Sequence, residues 1–339
     1  MKASQVLVFH VSLFYMVKGL EHSLFSKTSI VINTCNYGHL LKEIQVKHHF
    51  QCSMVCSLDS DCRRYLYCES DLSCKTYLDG TDCILSDNSG QCSCYRKDIG
   101  FYKGVRTCPL GYFNANCKSV IKDCAQGFKN RNAMGIKALP AALTIIKPGP
   151  IQFELFCNFK DSGRMVLLNR DSSCLVEDFD RTMDEYKNGF GLVSGNRWVG
   201  LERIYELFSL PSPRFTLHVF AVRSDSSSCK TFIHYPKLGD ASTGYSIDYN
   251  FWQHRTKLGG CGNPFGPKNQ NRFSTFDQNN TGSNRCAARF GGGWWFDTTV
   301  DCTKSFLTGT MDGSGVDNFF LDDPTPKSYV KIQVLLKRL

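Results

Sequence analysis

Eighteen cysteines are spread over 339 residues, many only two to six positions apart, and this constrains what the chain can fold into more than any other feature. Closely spaced cysteines in an exported chain form a disulfide framework, which holds loop-rich domains together where a small apolar core would not. Zinc is a poorer account of the same residues. Cys92-Ser93-Cys94 and the scattered histidines lack paired Cys-x-x-Cys spacings, and an oxidising compartment favours bridges.

Export itself is read from residues 1–19. Lys2 is followed by an apolar run from Val6 to Val17, and Val17 and Gly19 stand like the small residues before a cleavage site, which is the pattern of a secretory signal peptide. The run is short of the roughly 20 residues that a spanning helix needs. No later segment matches its apolar length, so a secreted, extracellular protein without membrane insertion is expected. The formal charge of +9 suits encounters with acidic glycans or anionic surfaces, although the Lys and Arg residues are dispersed along the chain. Nucleic acid is a poor partner for an exported protein.

Composition changes near residue 123: eleven cysteines precede it and seven follow, over a longer stretch rich in aromatic residues. A domain boundary is placed there. Both counts are odd, so each side keeps a cysteine that cannot pair within its own half. That implies an interdomain bridge, an intermolecular bridge giving a disulfide-linked oligomer, or free thiols. No heptad or Gly-x-y tract offers another route to an oligomer.

In the first half, "QCSMVCSLDSDCRRYLYCESDLSCKTYLDG" sets Cys52 and Cys56 four apart on one face of a predicted helix, and Tyr65, Leu66 and Tyr67 read as a strand. Helix cysteines bridged to strands would staple a core too small to hold itself. Residues 33–80 resemble the PAN/apple module, and that resemblance implies a protein- or carbohydrate-binding role. Residues 81–122 hold "CSCYRKDIGFYKGVRTC" and "CPLGYFNANC", which look like fragments of an epidermal-growth-factor-like module. They are read as a Cys-rich, disulfide-tied linker.

From Cys124 a series of landmarks runs in order: "DCAQGF", "IQFELFCNF", "EYKNGFG", "GNRWVGLERIYELF", "RFSTFDQNN", "CAARFGGGWWFD", "CTKSFLTG" and an alternating terminal strand, "SYVKIQVLL". Together they closely resemble the fibrinogen C-terminal (fibrinogen-related) domain over residues 123–339. Pattern reading agrees: "ELFCNF" and "FTLHVFAV" are β-rich, "DFDRTMDEYKNGFG" is a short helix ending at Gly189, and a buried Trp precedes a helix in "GNRWVGLERIYEL". The resemblance implies an α+β fold with a twisted, mainly antiparallel central sheet and long binding loops. It also implies the pairs Cys124 with Cys157 and Cys286 with Cys302. Cys174, Cys229 and Cys261 have no counterpart, and two of them are expected to bridge, leaving the third as the odd one.

The stretch "RFSTFDQNNTGSNRC" gathers Asp277, Asn279, Asn280, Thr281, Ser283 and Asn284 around Gly282. Such a loop could wrap a hard cation or be an ordinary turn. The resemblance implies calcium, held in the family by two Asp side chains two residues apart. Here Asp277 matches the first position, Asn279 stands at the second, and Thr281 replaces a further frequent acid. Calcium affinity tracks the number of charged oxygens, so weak binding through Asp277, Asn279, Thr281 and Ser283 is expected at most. An EF-hand is discounted because Ala288 stands at its closing Glu position. Asn279-Asn280-Thr281 is also a glycosylation sequon, and a glycan on Asn279 would keep that side chain from a metal.

Sugar-binding members of the family receive an acetyl group in a small pocket beside the calcium. By resemblance its walls here are Phe290, Asp301, Cys302, Thr303, Phe319 and Phe320, with a cis peptide at Asp301-Cys302. Thr303 stands where His is usual and Phe290 where Tyr is frequent, which weakens acetyl-sugar specificity, and the Trp294-Trp295 pair reads as core rather than pocket. Two functions remain. One is a lectin-like recognition protein that binds glycans or acetylated groups in innate immune defence. The other is a calcium-independent adhesion or signalling ligand that docks a protein receptor. No nucleophile-elbow, zinc-protease or phosphate-loop pattern is present, so an enzyme is not expected.

Overall fold

The computed structural model describes residues 24–28, 30–32, 40–59, 62, 64–77, 83–85, 92–102, 105–108, 111–114, 116–132, 134, 141–159, 162–174, 176–191, 195–211, 214–254, 261–266, 270–303, 305–309 and 329–339. The signal-peptide reading at residues 1–19, together with Phe319 and Phe320, lies outside the described residues.

Six antiparallel strands form the sheet of the N-terminal half: β1 (Leu24–Thr28), β2 (Leu40–Gln45), β3 (Arg64–Cys68), β4 (Ser73–Tyr77) and β5 (Cys92–Tyr102), in the order β1-β5-β3-β4-β2, with a short sixth strand, Val105–Thr107, paired onto β5. Helix α1 (His49–Leu58) buries Cys52 and Cys56 against it. Only Cys52 reaches a strand, bonding Cys74 on β4, whereas Cys56 closes onto Cys62 in the following loop. Helix-to-strand stapling is therefore half of what the spacing suggested. The sheet also extends beyond residues 33–80, because β5 pairs with both β1 and β3 and the Cys68–Cys92 bridge ties β5 in. Much of the expected linker is a structural strand.

The larger unit starts at Ile121, fully buried in its core. Asp123 caps helix α2 (Cys124–Lys129) by accepting from the Gln126 amide, and it also pairs with Arg338 near the far end of the chain. The central sheet is wholly antiparallel and runs in the order β6 (Ala141–Ile146), β7 (Phe153–Asn158), β8 (Arg164–Asp171), β13 (Tyr329–Arg338), β10 (Phe215–Arg223), β11 (Ser228–His234), β12 (Phe251–His254). Between β8 and β10 the dipeptide β9 (Arg197–Trp198) pairs onto β8. The terminal strand thus sits in the middle of the sheet, with Leu336 opposite both Met165 and Leu217. One face of the pleat carries Leu217, Val219, Ala221, Ile233, Ile332, Val334 and Leu336 into the core.

Two helices close that core. Helix α3 (Met183–Asn188) opens with a complete capping box between Thr182 and Glu185 and stops at Gly189, whose φ of 84° few other residues would adopt. Helix α4 (Leu201–Phe208) turns Leu201, Ile204 and Leu207 inward at helical spacing. No helix among the described residues is long and apolar enough to cross a membrane.

The structure bonds Cys124 to Cys157, Cys286 to Cys302 and Cys229 to Cys261. Cys174 is also disulfide-bonded. The other six cysteines from 124 onward pair among themselves, so its partner lies outside this half. Two of the three extra cysteines bridge as expected, and Cys174 is the odd one of this half, so the odd counts on each side correspond to a bridge out of the domain.

Candidate functional site

The candidate site is built from two loops joined by the Cys286–Cys302 bridge. The first is suspended from the core by an isolated two-way pairing of Ser274 with Trp294. Beyond it, Asn280 donates to the Phe273 carbonyl and Thr281 is buried, with its hydroxyl accepting from the Cys286 amide at 3.1 Å. Gly282 and Arg285 both take left-handed backbone (φ 61° and 44°), which reverses the chain into helix α5 (Cys286–Phe290).

Three oxygens expected to face a cation, Asp277 Oδ1, Asn279 Oδ1 and Thr281 Oγ1, are engaged by internal donors. Asp277 Oδ1 accepts from the Met183 amide at the start of α3 (3.0 Å) and from Thr275 Oγ1 (2.7 Å). It anchors the loop to a helix N-terminus, a favourable place for a carboxylate. Asn279 Oδ1 accepts from the Thr281 amide and hydroxyl (3.0 and 2.7 Å), and its Nδ2 holds the Gly282 carbonyl at 2.6 Å. Ser283 is exposed at the rim. Among the described residues no group of three or more His, Cys, Asp or Glu side chains could hold a metal. Calcium takes six to eight oxygens. One carboxylate and one amide oxygen, each already holding two donors, do not fit a resident calcium.

The second loop, Asp297 to Asp301, folds back on itself. The Asp297 amide donates to the Cys302 carbonyl, the Cys302 amide to the Thr299 carbonyl, and Asn284 clasps the carbonyls of Thr298 and Thr299 across the gap between loops. The peptide at Asp301-Cys302 is trans, contrary to the expectation from resemblance. The reversal is made instead by left-handed Cys302 (φ 64°), with the Thr303 amide donating to the Asp301 carbonyl at 2.7 Å, a γ-turn.

The predicted pocket walls do not converge. Thr303 is buried and exchanges hydrogen bonds with Ser305, and Cys302 is buried in its disulfide. Asp301 is exposed. Phe290 stacks on Phe296 and tilts against Phe306, so it packs on the core. Trp294 and Trp295 are core residues, with Trp295 Nε1 donating to the Tyr245 carbonyl. The outward surface of the loops mixes polar residues, Gln278, Thr298, Thr299 and Asp301 among them, with two apolar ones, Val300 (70% exposed) and Phe276 (40%).

Sequence reasoning missed the supports beneath these loops. Arg170 on β8 is fully enclosed, donates to the carbonyls of Leu307 and Gly309, and lies 3.9 Å from the centre of the Phe179 ring. Burial lowers its pKa to about 10, against a smaller raising effect of Tyr186 and Glu177. Tyr186 on α3 donates to the Phe179 carbonyl (2.7 Å) and accepts from the Gly293 amide (3.0 Å); burial pushes its phenol well above the usual range. Thr308 then donates to the Gly293 carbonyl. Tyr186 falls inside a quoted landmark and could have been singled out. Arg170 stands between Asn169 and Asp171 at the polar end of its strand, and nothing in that run marks it as buried.

Comparison with known proteins agrees with this architecture. The family model for the C-terminal globular domain of fibrinogen beta and gamma chains matches residues 120–318, and the chain belongs to that family. Mouse angiopoietin-4 is 31% identical over 197 residues, covering 57% of this chain and 35% of the relative. Human angiopoietin-related protein 7 is 28% identical over 213 residues, covering 60% and 56%. Fibrinogen C domain-containing protein 1 of Macaca fascicularis is 29% identical over 167 residues, covering 47% and 36%. The chain thus spans between about a third and three fifths of the length of these curated relatives. Among solved structures, the fibrinogen-like globe domain of human ANGPTL2 superposes with a TM-score of 0.55 at 22% identity, covering 64% of this chain and 98% of that one. Lamprey fibrin D-dimer, complexed with the peptide ligand Gly-His-Arg-Pro-amide, gives 0.52 at 21% identity, covering 66% and 75%. At these identities the structures speak for the fold alone.

Proposed function

We propose that this is a secreted, non-enzymatic ligand whose paired loops dock a protein partner without calcium or an acetylated sugar. The observation that carries the reading is the engagement of Asp277 and Asn279 by Met183, Thr275 and Thr281, which spends the loop's best oxygens on its own fold. Phe276 and Val300 then offer apolar contact points on the two loops, of the kind that anchor protein interfaces. The lamprey fibrin D-dimer with which the chain superposes is complexed with a peptide ligand, and the named curated relatives include an angiopoietin and an angiopoietin-related protein. Export rests on the signal-like residues 1–19, and a PAN/apple-like module around α1 would add a second binding surface.

The test is binding of the full chain to cells. Retention after chelation and in excess N-acetylglucosamine, loss after protease treatment of the cells, and loss in Phe276→Asp/Val300→Asp are expected. If chelator or sugar releases the protein, the loops work as a calcium-dependent lectin and the proposal fails.

A further inference from the structure

Cationic residues that are far apart in sequence converge on the face of the central sheet opposite the core. The register places Arg164, Lys337, Thr216, His234 and Phe251 directly opposite one another in a single row across β8, β13, β10, β11 and β12. Facing residues in an antiparallel sheet project to the same side, and four interstrand steps make the row about 19 Å long. At its far end the His234 ring stacks on Phe251, with centroids 4.5 Å apart and planes 15° from parallel, and Phe251 is half exposed.

Two buried polar atoms on this face have no hydrogen-bond partner among the described residues: Thr216 Oγ1, in a residue 2% exposed, and His218 Nδ1, in a residue 6% exposed. His234 Nε2 is a third. His218 stands two residues along β10 from Thr216, on the same side, edge-on to Phe232. Leaving such groups unpaired in a buried setting is unfavourable. That cost is recovered when a ligand supplies the partner.

The electrostatics agree with the geometry. Burial, then Arg164 from β8, Lys230 from β11, Lys337 from β13 and His234 from β11, hold the His218 imidazole at about 3. Every side chain named there is cationic or becomes so on protonation. Lys230 also lies over the Phe232 ring.

We infer that this row is a binding site for an anionic, sulfate-bearing oligosaccharide, separate from the paired loops. Sulfates meet Arg164 and Lys337, as charge-assisted hydrogen bonds favour. Thr216 and the histidines give the ligand their unpaired atoms, and a sugar ring lies on the aromatic shelf at Phe251. A plain acidic peptide would use the cations but not the shelf.

The experiment is fluorescence anisotropy of a labelled heparin-derived hexasaccharide titrated with the full chain at fixed salt. Lys337→Gln/His234→Gln is expected to weaken binding about tenfold, the loss of one charged contact and one hydrogen bond. Thr216→Val, which keeps every charge, and Phe251→Ala should each cost about threefold. Lys118→Gln, an exposed cation off the row, should leave the affinity within about twofold. Unchanged thermal midpoints establish that each variant is folded. Equal losses in Lys118→Gln and the row variants would reduce the effect to diffuse net charge and overturn the site. No binding of the hexasaccharide by the folded chain would overturn it as well. Equal affinity for a desulfated hexasaccharide, or for polyglutamate with the same dependence on Lys337, would overturn the assignment to sulfated sugar.

Discussion

Replacing Tyr186 by Phe tests whether the candidate loops are held from below by one phenolic oxygen. The substitution keeps the ring, which contacts Phe190, Trp198 and Phe273 edge-on or tilted, and removes only the hydroxyl. Two backbone groups then lose their partner in a fully buried environment: the Phe179 carbonyl and the Gly293 amide. Each unsatisfied buried group costs about 1 to 3 kcal/mol. A carbonyl tolerates the loss better than an amide because it has a second lone pair, so the sum is set at about 2 to 4 kcal/mol. With a urea slope of about 2 kcal/mol/M, the midpoint should fall by roughly 1 to 2 M. The assay is urea unfolding followed by tryptophan fluorescence with disulfides intact, since Trp198, Trp294 and Trp295 are all buried around this ring. Amide exchange adds a local readout, in which protection at Gly293 should collapse before that at Leu217 on β10. A midpoint shift under about 0.3 M, equivalent to about 0.5 kcal/mol, with Gly293 still protected would refute the argument.

Three further outcomes follow from the same structure. Opening the Cys229–Cys261 bridge by a double Ala substitution frees a loop with a sequence separation of 32; about 3 to 4 kcal/mol of stability should be lost on the chain-entropy estimate, read as a lower thermal midpoint. His218 is held neutral by burial and neighbouring cations, at about 3, below its value of about 6.5 in the unfolded chain. The unfolded state therefore binds more protons between those values, and stability should fall as pH drops from about 6.5 toward 3; His218→Asn should flatten that slope in thermal midpoints measured across the range. Asn279→Asp removes the sequon, breaks the hydrogen bond that Nδ2 donates to the Gly282 carbonyl and supplies a second carboxylate two residues from Asp277. Calorimetric calcium titration should then show uptake well above that of the parent chain, and equal heats in both proteins would contradict the account of the loop.

How much of this was legible in the sequence depends on whether a feature is local or depends on strand register. Helix α3 was readable because its capping box and terminal Gly189 act over a few residues, and β13 because Tyr329, Val330, Ile332 and Val334 make it a run of strand-forming residues. The sheet of the N-terminal half was half legible: α1 and β3 carry local signals, but β5 joins them only through pairing with β1 and β3. At the candidate loops the residue types were right and their orientation was not. Asp277 has the composition of a calcium ligand, and only the folded chain reveals that the Met183 amide, 94 positions away, takes its oxygen. The charge distribution makes the same point. Arg164, His234 and Lys337 read as dispersed because they belong to three strands separated by long insertions. Antiparallel register collapses those separations to single interstrand steps of about 5 Å, so a net charge that looked like solubility becomes a local field that adds to burial, the larger cause, in lowering the pKa of His218.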